Sequence, residues 1–204
     1  MWLKKSLKSY LDKLASKSPT PGGGSAAALL GALAAGLVSM VANFTVGKPK
    51  YKRVEKSVVR ILAHAEKLRE KLGQLTEEDS LVYTKVSEAY RLPEGKERDK
   101  AMQKALCQAG EVPFDVASLS FQLLKLNEEL VEKGNRNLIS DVGVSVIFSL
   151  GALETAALNV EINLAGIKDK EFVTKKRKAL QSLLKEGKKI EERVKEKVEK
   201  LIKK

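Results

Sequence analysis

The chain of 204 residues has one cysteine, one histidine and few aromatic residues, 5% of the total. The lone Cys107 excludes an intramolecular disulfide. With no Cys or His cluster at ligand spacing, no zinc site and no other metal site is expected. A reducing, cytoplasmic setting follows. The start, Trp2-Leu3-Lys4-Lys5-Ser6-Leu7-Lys8, lacks the continuous apolar run of a signal peptide. Scarce aromatics also weaken the nucleic-acid reading that a formal net charge of +12 invites, because no basic patch is interleaved with rings on which bases could stack. Much of the excess lies at the C-terminus, where Lys175-Lys176-Arg177-Lys178 and later lysines alternate with Glu186, Glu191, Glu192, Glu196 and Glu199, as on a solvated helix. What remains is a general attraction for anionic ligands. Strand signals are missing, since Val and Ile fall inside helical periodicity, and so is any internal repeat. These absences predict one all-α domain over residues 1–204, a helical bundle with two buried central helices and a long charged C-terminal helix.

What the chain does have is concentrated in Pro19-Thr20-Pro21-Gly22-Gly23-Gly24-Ser25. Two prolines hold the approach extended, the glycines permit close backbone approach, and Ser25 can cap the helix that follows. Free N–H groups and the positive end of a helix dipole can then meet a carboxylate, phosphate or carbonyl oxygen. A flexible linker ending in a cap is the plainer alternative. No Gly-Lys-Ser/Thr closes the loop, so it is not a Walker loop.

Apolar spacing predicts a first helix over about Trp2 to Leu14, covering the core edge with Leu3, Leu7, Tyr10, Leu11 and Leu14. A second runs from Ser25 to about Val46. Its length and apolarity raise a membrane span, but Ser39, Asn43, Thr45 and flanking lysines on both sides favour a buried bundle helix instead. A stripe of Ser25, Leu29, Ala32, Gly36, Ser39 and Asn43 suits close helix packing. Helix Val54 to Leu72 is expected to stop at Gly73, with Thr76-Glu77-Glu78-Asp79 starting another. Pro113 should kink a long helix marked by Ala105 to Leu130 and release the carbonyl of Ala109. Beyond Gly134, a helix from about Val142 to Leu164 carries a matching stripe, Ser145, Ser149, Ala152, Ala156, Asn159 and Asn163. The two stripes should meet, leaving Asn43, Asn159 and Asn163 in need of partners or a polar ligand. The tail from Phe172 should pack on the bundle or on a second subunit.

Several residues combine a structural reading with a chemical one. Capping accounts for Asp79, although Asp79 and Tyr83, four apart on one helix face, also suit proton handling. Ser140 or Asp141 can cap the helix that follows. Solvation accounts for His64 and for Glu111.

Taken in order, the glycine loop, Met40-Val-Ala-Asn-Phe-Thr45, Gly47-Lys-Pro-Lys-Tyr51, Asp79-Ser80, Glu111-Val-Pro113 and Gly134-Asn-Arg-Asn-Leu-Ile-Ser-Asp-Val-Gly143 resemble the formiminotetrahydrofolate cyclodeaminase and methenyltetrahydrofolate cyclohydrolase family over roughly Leu14 to Phe172. The resemblance implies an all-helical homodimer with a folate groove near the subunit interface, a tetrahydrofolate derivative as substrate and no bound cofactor. It implies Asp79 and Asp141 as proton carriers with Tyr83 in support. Gly22, Gly23, Gly24 and Ser25 would hold a carbonyl or carboxylate, Lys48 and Lys50 a polyglutamate tail, and Asn135 and Asn137 the pterin. Cyclodeamination is favoured narrowly over cyclohydrolysis; a non-catalytic folate-binding bundle is the third reading. Neither a membrane nor a nucleic acid is an expected partner.

Overall fold

Two runs too apolar to face water on every side form the helices around which the others gather: α2, Gly23–Asn43, and α5, Ile139–Leu164. The computed structural model describes residues 2–203. Around that pair lie α1 (Leu7–Leu14), α3 (Glu55–Tyr90), α4 (Lys96–Lys133) and α6 (Lys170–Ile202), with 3-10 turns at Trp2–Lys4, Pro49–Tyr51 and Arg136–Leu138. No described residue is in a strand. The protein is an all-α helical bundle.

Helices α2 and α5 run antiparallel and close together. Ser145 Oγ donates to the carbonyl of Ala34 at 3.0 Å, and Leu30 Cδ2 sits 3.3 Å from where a Cβ on Gly151 would be. The stripe expected on α5 is the packed one: Ser145, Ser149, Ala152 and Ala156 are buried. On α2 the register differs, with Ala27, Gly31, Ala34, Ala35, Val38 and Val41 facing inward while Leu29, Ala32 and Gly36 are half-exposed and Asn43 is exposed. A helix apolar on all sides offers periodicity no contrast from which to choose a face. Nor is either helix wholly enclosed: Leu33 on α2 and Phe44 at its C-cap, and Val144, Ile147, Leu158 and Ile162 on α5, are exposed.

Gly73 does not end a helix. Helix α3 passes through it for 36 residues, and Gly73 serves a close approach, since a Cβ there would lie 2.9 Å from Leu3 Cδ1. Helix α4 likewise continues through Pro113. The edge role expected of α1 falls to Tyr10, its only buried residue; Leu3, Leu7 and Leu11 are exposed. Helix α6 packs on the bundle by Leu180, Ile190, Val194 and Val198, flanked by ion pairs to α4 and α5 such as Arg193–Glu128 at 2.8 Å and Lys188–Glu154 at 3.2 Å.

Candidate active site at the glycine loop

The glycine loop delivers the first N–H groups of α2 to one end of the bundle. Gly22, with extended backbone, is the N-cap, so Ser25 lies inside the first turn and caps nothing. Its side chain is buried and spent on neighbours: Ser25 Oγ donates to the Thr76 carbonyl at 2.8 Å. With that proton committed, Tyr10 donates its hydroxyl to Ser25 Oγ at 3.1 Å. The Ser25 N–H in turn donates to Asp79 Oδ2 at 3.0 Å. Asp79 therefore caps a helix, but it is α2 and not its own, because α3 has run on past Gly73 and aims the carboxylate sideways. A Cβ on Gly24 would overlap Asp79 Oδ1, which explains glycine at that position.

Beside this contact is a cavity of 370 Å³ lined by Pro19, Thr20, Gly22 to Gly24, Asp79, Val82, Tyr83, Val86, Ala109, Asn159, Ile162 and Asn163. Asp79 is the one charged side chain in that lining. Burial pushes its carboxyl above the usual carboxylate range, and the Ser25 N–H only partly opposes the shift. Such a group can take up and return a proton nearer neutral pH than an exposed aspartate can. Tyr83 stands at the rim, half in solvent. The structure thus joins Gly22, Gly23, Gly24, Asp79 and Tyr83 as expected, and adds Asn159 and Asn163. Both asparagines were visible as polar residues on an apolar helix, but only the antiparallel pairing of α2 and α5 carries them to the loop. A Cβ on Gly23 would lie 3.5 Å from Asn159 Oδ1.

The other expected site residues lie elsewhere. Asp141 is 18 positions before Asn159 on α5, about 27 Å away at 1.5 Å per residue, so Asp79 and Asp141 do not meet within one chain. Lys48, Lys50, Asn135, Asn137 and Asp141 cluster at that far end. Asn135 is buried, with each polar atom engaged inside the protein: its N–H donates to Thr45 Oγ1 at 2.9 Å, its Nδ2 to the Phe44 carbonyl at 3.0 Å, and its Oδ1 accepts from the Asn137 N–H at 3.2 Å. It latches the end of α2 to the loop before α5, so these hydrogen bonds serve the fold. Lys48 and Lys50 are exposed, each ammonium 5.8 Å from a ring centroid, Phe44 and Tyr51 respectively. Glu111, expected to be solvated, is half-buried and bound to Lys176 at 2.5 Å. His64 shares a 3.0 Å hydrogen bond with Gln122. No described group of His, Cys, Asp or Glu is arranged to hold a metal.

A wider groove of 940 Å³ between α2 and α3 has an apolar floor of Leu33, Leu37, Met40 and Phe148. Its rim carries the Arg69–Glu66 ion pair together with Lys67, Glu70 and Gln74, and no helix N-terminus opens onto it as α2 does at the glycine loop.

Known proteins resemble the chain over most of its length. Methenyltetrahydrofolate cyclohydrolase of Methylorubrum extorquens is 41% identical over 197 residues, covering 94% of this chain and 95% of that protein. Formimidoyltransferase-cyclodeaminase of Rattus norvegicus is 34% identical over 90% of this chain but 35% of its own, so the chain spans about a third of that relative. A crystal structure of formiminotetrahydrofolate cyclodeaminase from Thermotoga maritima superposes with a TM-score of 0.85 at 34% identity, covering 100% of this chain and 98% of that one. The family profile described as formiminotransferase-cyclodeaminase matches residues 6–182, the span that contains the glycine loop, Asp79 and both asparagines, and the chain belongs to that family of one-carbon folate enzymes.

Proposed function

We propose that the protein is a methenyltetrahydrofolate cyclohydrolase, with Asp79 as its proton carrier. The observation that carries the reading is the lone raised-pKa carboxylate in a cavity without a cationic side chain, which suits a substrate whose methenyl bridge is an amidinium cation. The 41% identity to a cyclohydrolase of nearly the same length supports this choice over cyclodeamination, the narrowly preferred reading of motifs that do not separate the two.

In the proposed reaction, Asp79 accepts a proton as water attacks the bridging carbon and a tetrahedral centre forms. The bond from that carbon to one ring nitrogen then breaks, the nitrogen keeps the electron pair, and Asp79 returns the proton to it. The hydroxyl of the tetrahedral centre loses its proton to solvent as it becomes the formyl carbonyl, which is the one proton released overall. Gly23 and Gly24 N–H groups at the start of α2 hold an oxygen of the ligand. Cyclodeamination, the second reading, is favoured by the Thermotoga maritima structure and uses the same proton carrier, with an amine attacking and ammonia leaving.

The decisive experiment supplies the two substrates separately. Loss of the methenyl chromophore faster than in buffer, with no ammonia from formimino-tetrahydrofolate, is the expected result. Ammonia release without accelerated ring opening would reverse the assignment.

The exposed apolar residues of α2 and α5 supply a surface for a second copy, and we assign a homodimer to it. Antiparallel pairing of two such faces would set the basic end of one copy beside the glycine loop of the other, and a polyglutamate tail would then have cations within reach.

A further inference from the structure

Asn159 and Asn163 sit one turn apart near the end of α5, both on the cavity wall. Their orientation is fixed by chemistry, because a backbone carbonyl accepts only from the amide NH₂ group. Asn159 Nδ2 donates to the Thr155 carbonyl at 2.8 Å. Asn163 Nδ2 donates to the Asn159 carbonyl at 2.8 Å and also, across to α4, to the Ala109 carbonyl at 3.2 Å. That last acceptor is free because Pro113 has no N–H to bond it in the helix. Neither Oδ1 accepts a hydrogen bond from any described residue. A buried proline inside a long helix is costly, and here the carbonyl it releases holds an amide of the site.

We propose that Asn159 and Asn163 determine specificity by presenting two Oδ1 acceptors to N–H donors along one edge of a bicyclic heterocycle, and that Pro113 is a positioning residue for Asn163. The heterocycle's identity rests on the folate reading above, under which the donor edge is the amino-pyrimidine side of a reduced pterin. Neighbouring Cβ atoms one turn apart are about 5–6 Å from each other, a spacing that suits two donors on one such edge. The glycine-loop N–H groups then face the ligand's carbonyl oxygen, so the two walls read opposite hydrogen-bonding character.

The test measures equilibrium binding of tetrahydrofolate and of its 2-desamino analogue to the full chain and to Asn159→Ala, Asn163→Ala and Pro113→Ala. At least one alanine variant should weaken tetrahydrofolate binding about tenfold while leaving the analogue, which has already lost a donor, nearly unaffected. Pro113→Ala restores a helix hydrogen bond to Ala109, so its melting temperature should hold or rise while tetrahydrofolate affinity falls. A merely structural asparagine pair would not divide stability from affinity in this way. Should tetrahydrofolate bind all variants as it binds the natural chain, or should both ligands weaken equally, the assignment is overturned while the folate reading stands. A natural chain that binds no tetrahydrofolate would overturn both.

Discussion

At the residue scale, Asp79 carries two duties that a substitution can separate. Asparagine still accepts the Ser25 N–H, so Asp79→Asn keeps the cap on α2 but cannot move a proton; kcat should fall about 100-fold or more, while ligand affinity changes little. Stopped or steady-state assays with saturating substrate check this, and an unchanged kcat would remove Asp79 from the chemistry. Stability should move the opposite way. Burial sets the folded-state pKa of Asp79 above its unfolded value, so at neutral pH the charged form costs the folded state free energy, and that cost disappears as pH falls through the folded pKa towards the ordinary carboxylate value. Asp79→Asn should therefore melt at or above the natural chain at neutral pH, with the gap closing in acid. Gly24→Ala places a methyl on Asp79 Oδ1 and should lose both turnover and melting temperature, whereas Gly22→Ala, whose Cβ would lie 3.8 Å from the Pro19 carbonyl, should keep its melting temperature.

At the scale of elements, the site depends on three helices meeting through Ser25. Helix α1 reaches it by Tyr10, whose ring meets Trp2 edge-on at 5.6 Å and whose hydroxyl supplies the proton that Ser25 Oγ accepts. Burial raises the Tyr10 pKa, and the nearby Asp79 and Glu77 carboxylates add to the shift, keeping the phenol a donor. Tyr10→Phe preserves the packing and deletes that donor, so it should cost about 1 kcal/mol, read as a lower denaturant midpoint at unchanged slope. Helix α6 divides its contacts differently. Its ion pairs lie in solvent, which screens them and leaves each weak, while truncating a buried isoleucine costs about 2–5 kcal/mol. Ile190→Ala should accordingly destabilise far more than Arg193→Ala, with urea unfolding of both variants as the check.

For the whole molecule, the apolar face shared by α2 and α5 and the separation of the site residues into two ends lead to two linked predictions. Ile147, half-exposed on that face, becomes a charge in Ile147→Asp, which should turn a dimer into monomers by light scattering with helical content preserved. If one copy's Lys48 and Lys50 serve the other's glycine loop, a polyglutamylated folate should bind the dimer more tightly than a monoglutamate. That advantage should shrink with added salt and vanish in the monomeric variant. A natural chain that is monomeric at assay concentrations, or equal affinity for both folates at low salt, would overturn the arrangement.

The all-helical class, the existence of long helices at α4 and α6, the glycine loop and the family were legible in the sequence because they rest on local pattern: apolar residues every three to four positions, terminal glycines, and a loop whose composition serves close backbone approach. The freed carbonyl of Ala109 was legible too, since a proline inside a helix always leaves one. What receives it was not. Gly73 reads as a helix stop until Leu3 is placed against it, and Asp79 reads as a cap for its own helix until α3 continues and the carboxylate turns to α2. Asp141 and Asn135 belong, like the glycine loop, to the motifs that carry the family resemblance, yet they lie at the far end of the bundle. Periodicity fixes which residues share a helix face; which end of another helix that face meets depends on direction and register, and those are set only when α2 and α5 pack antiparallel.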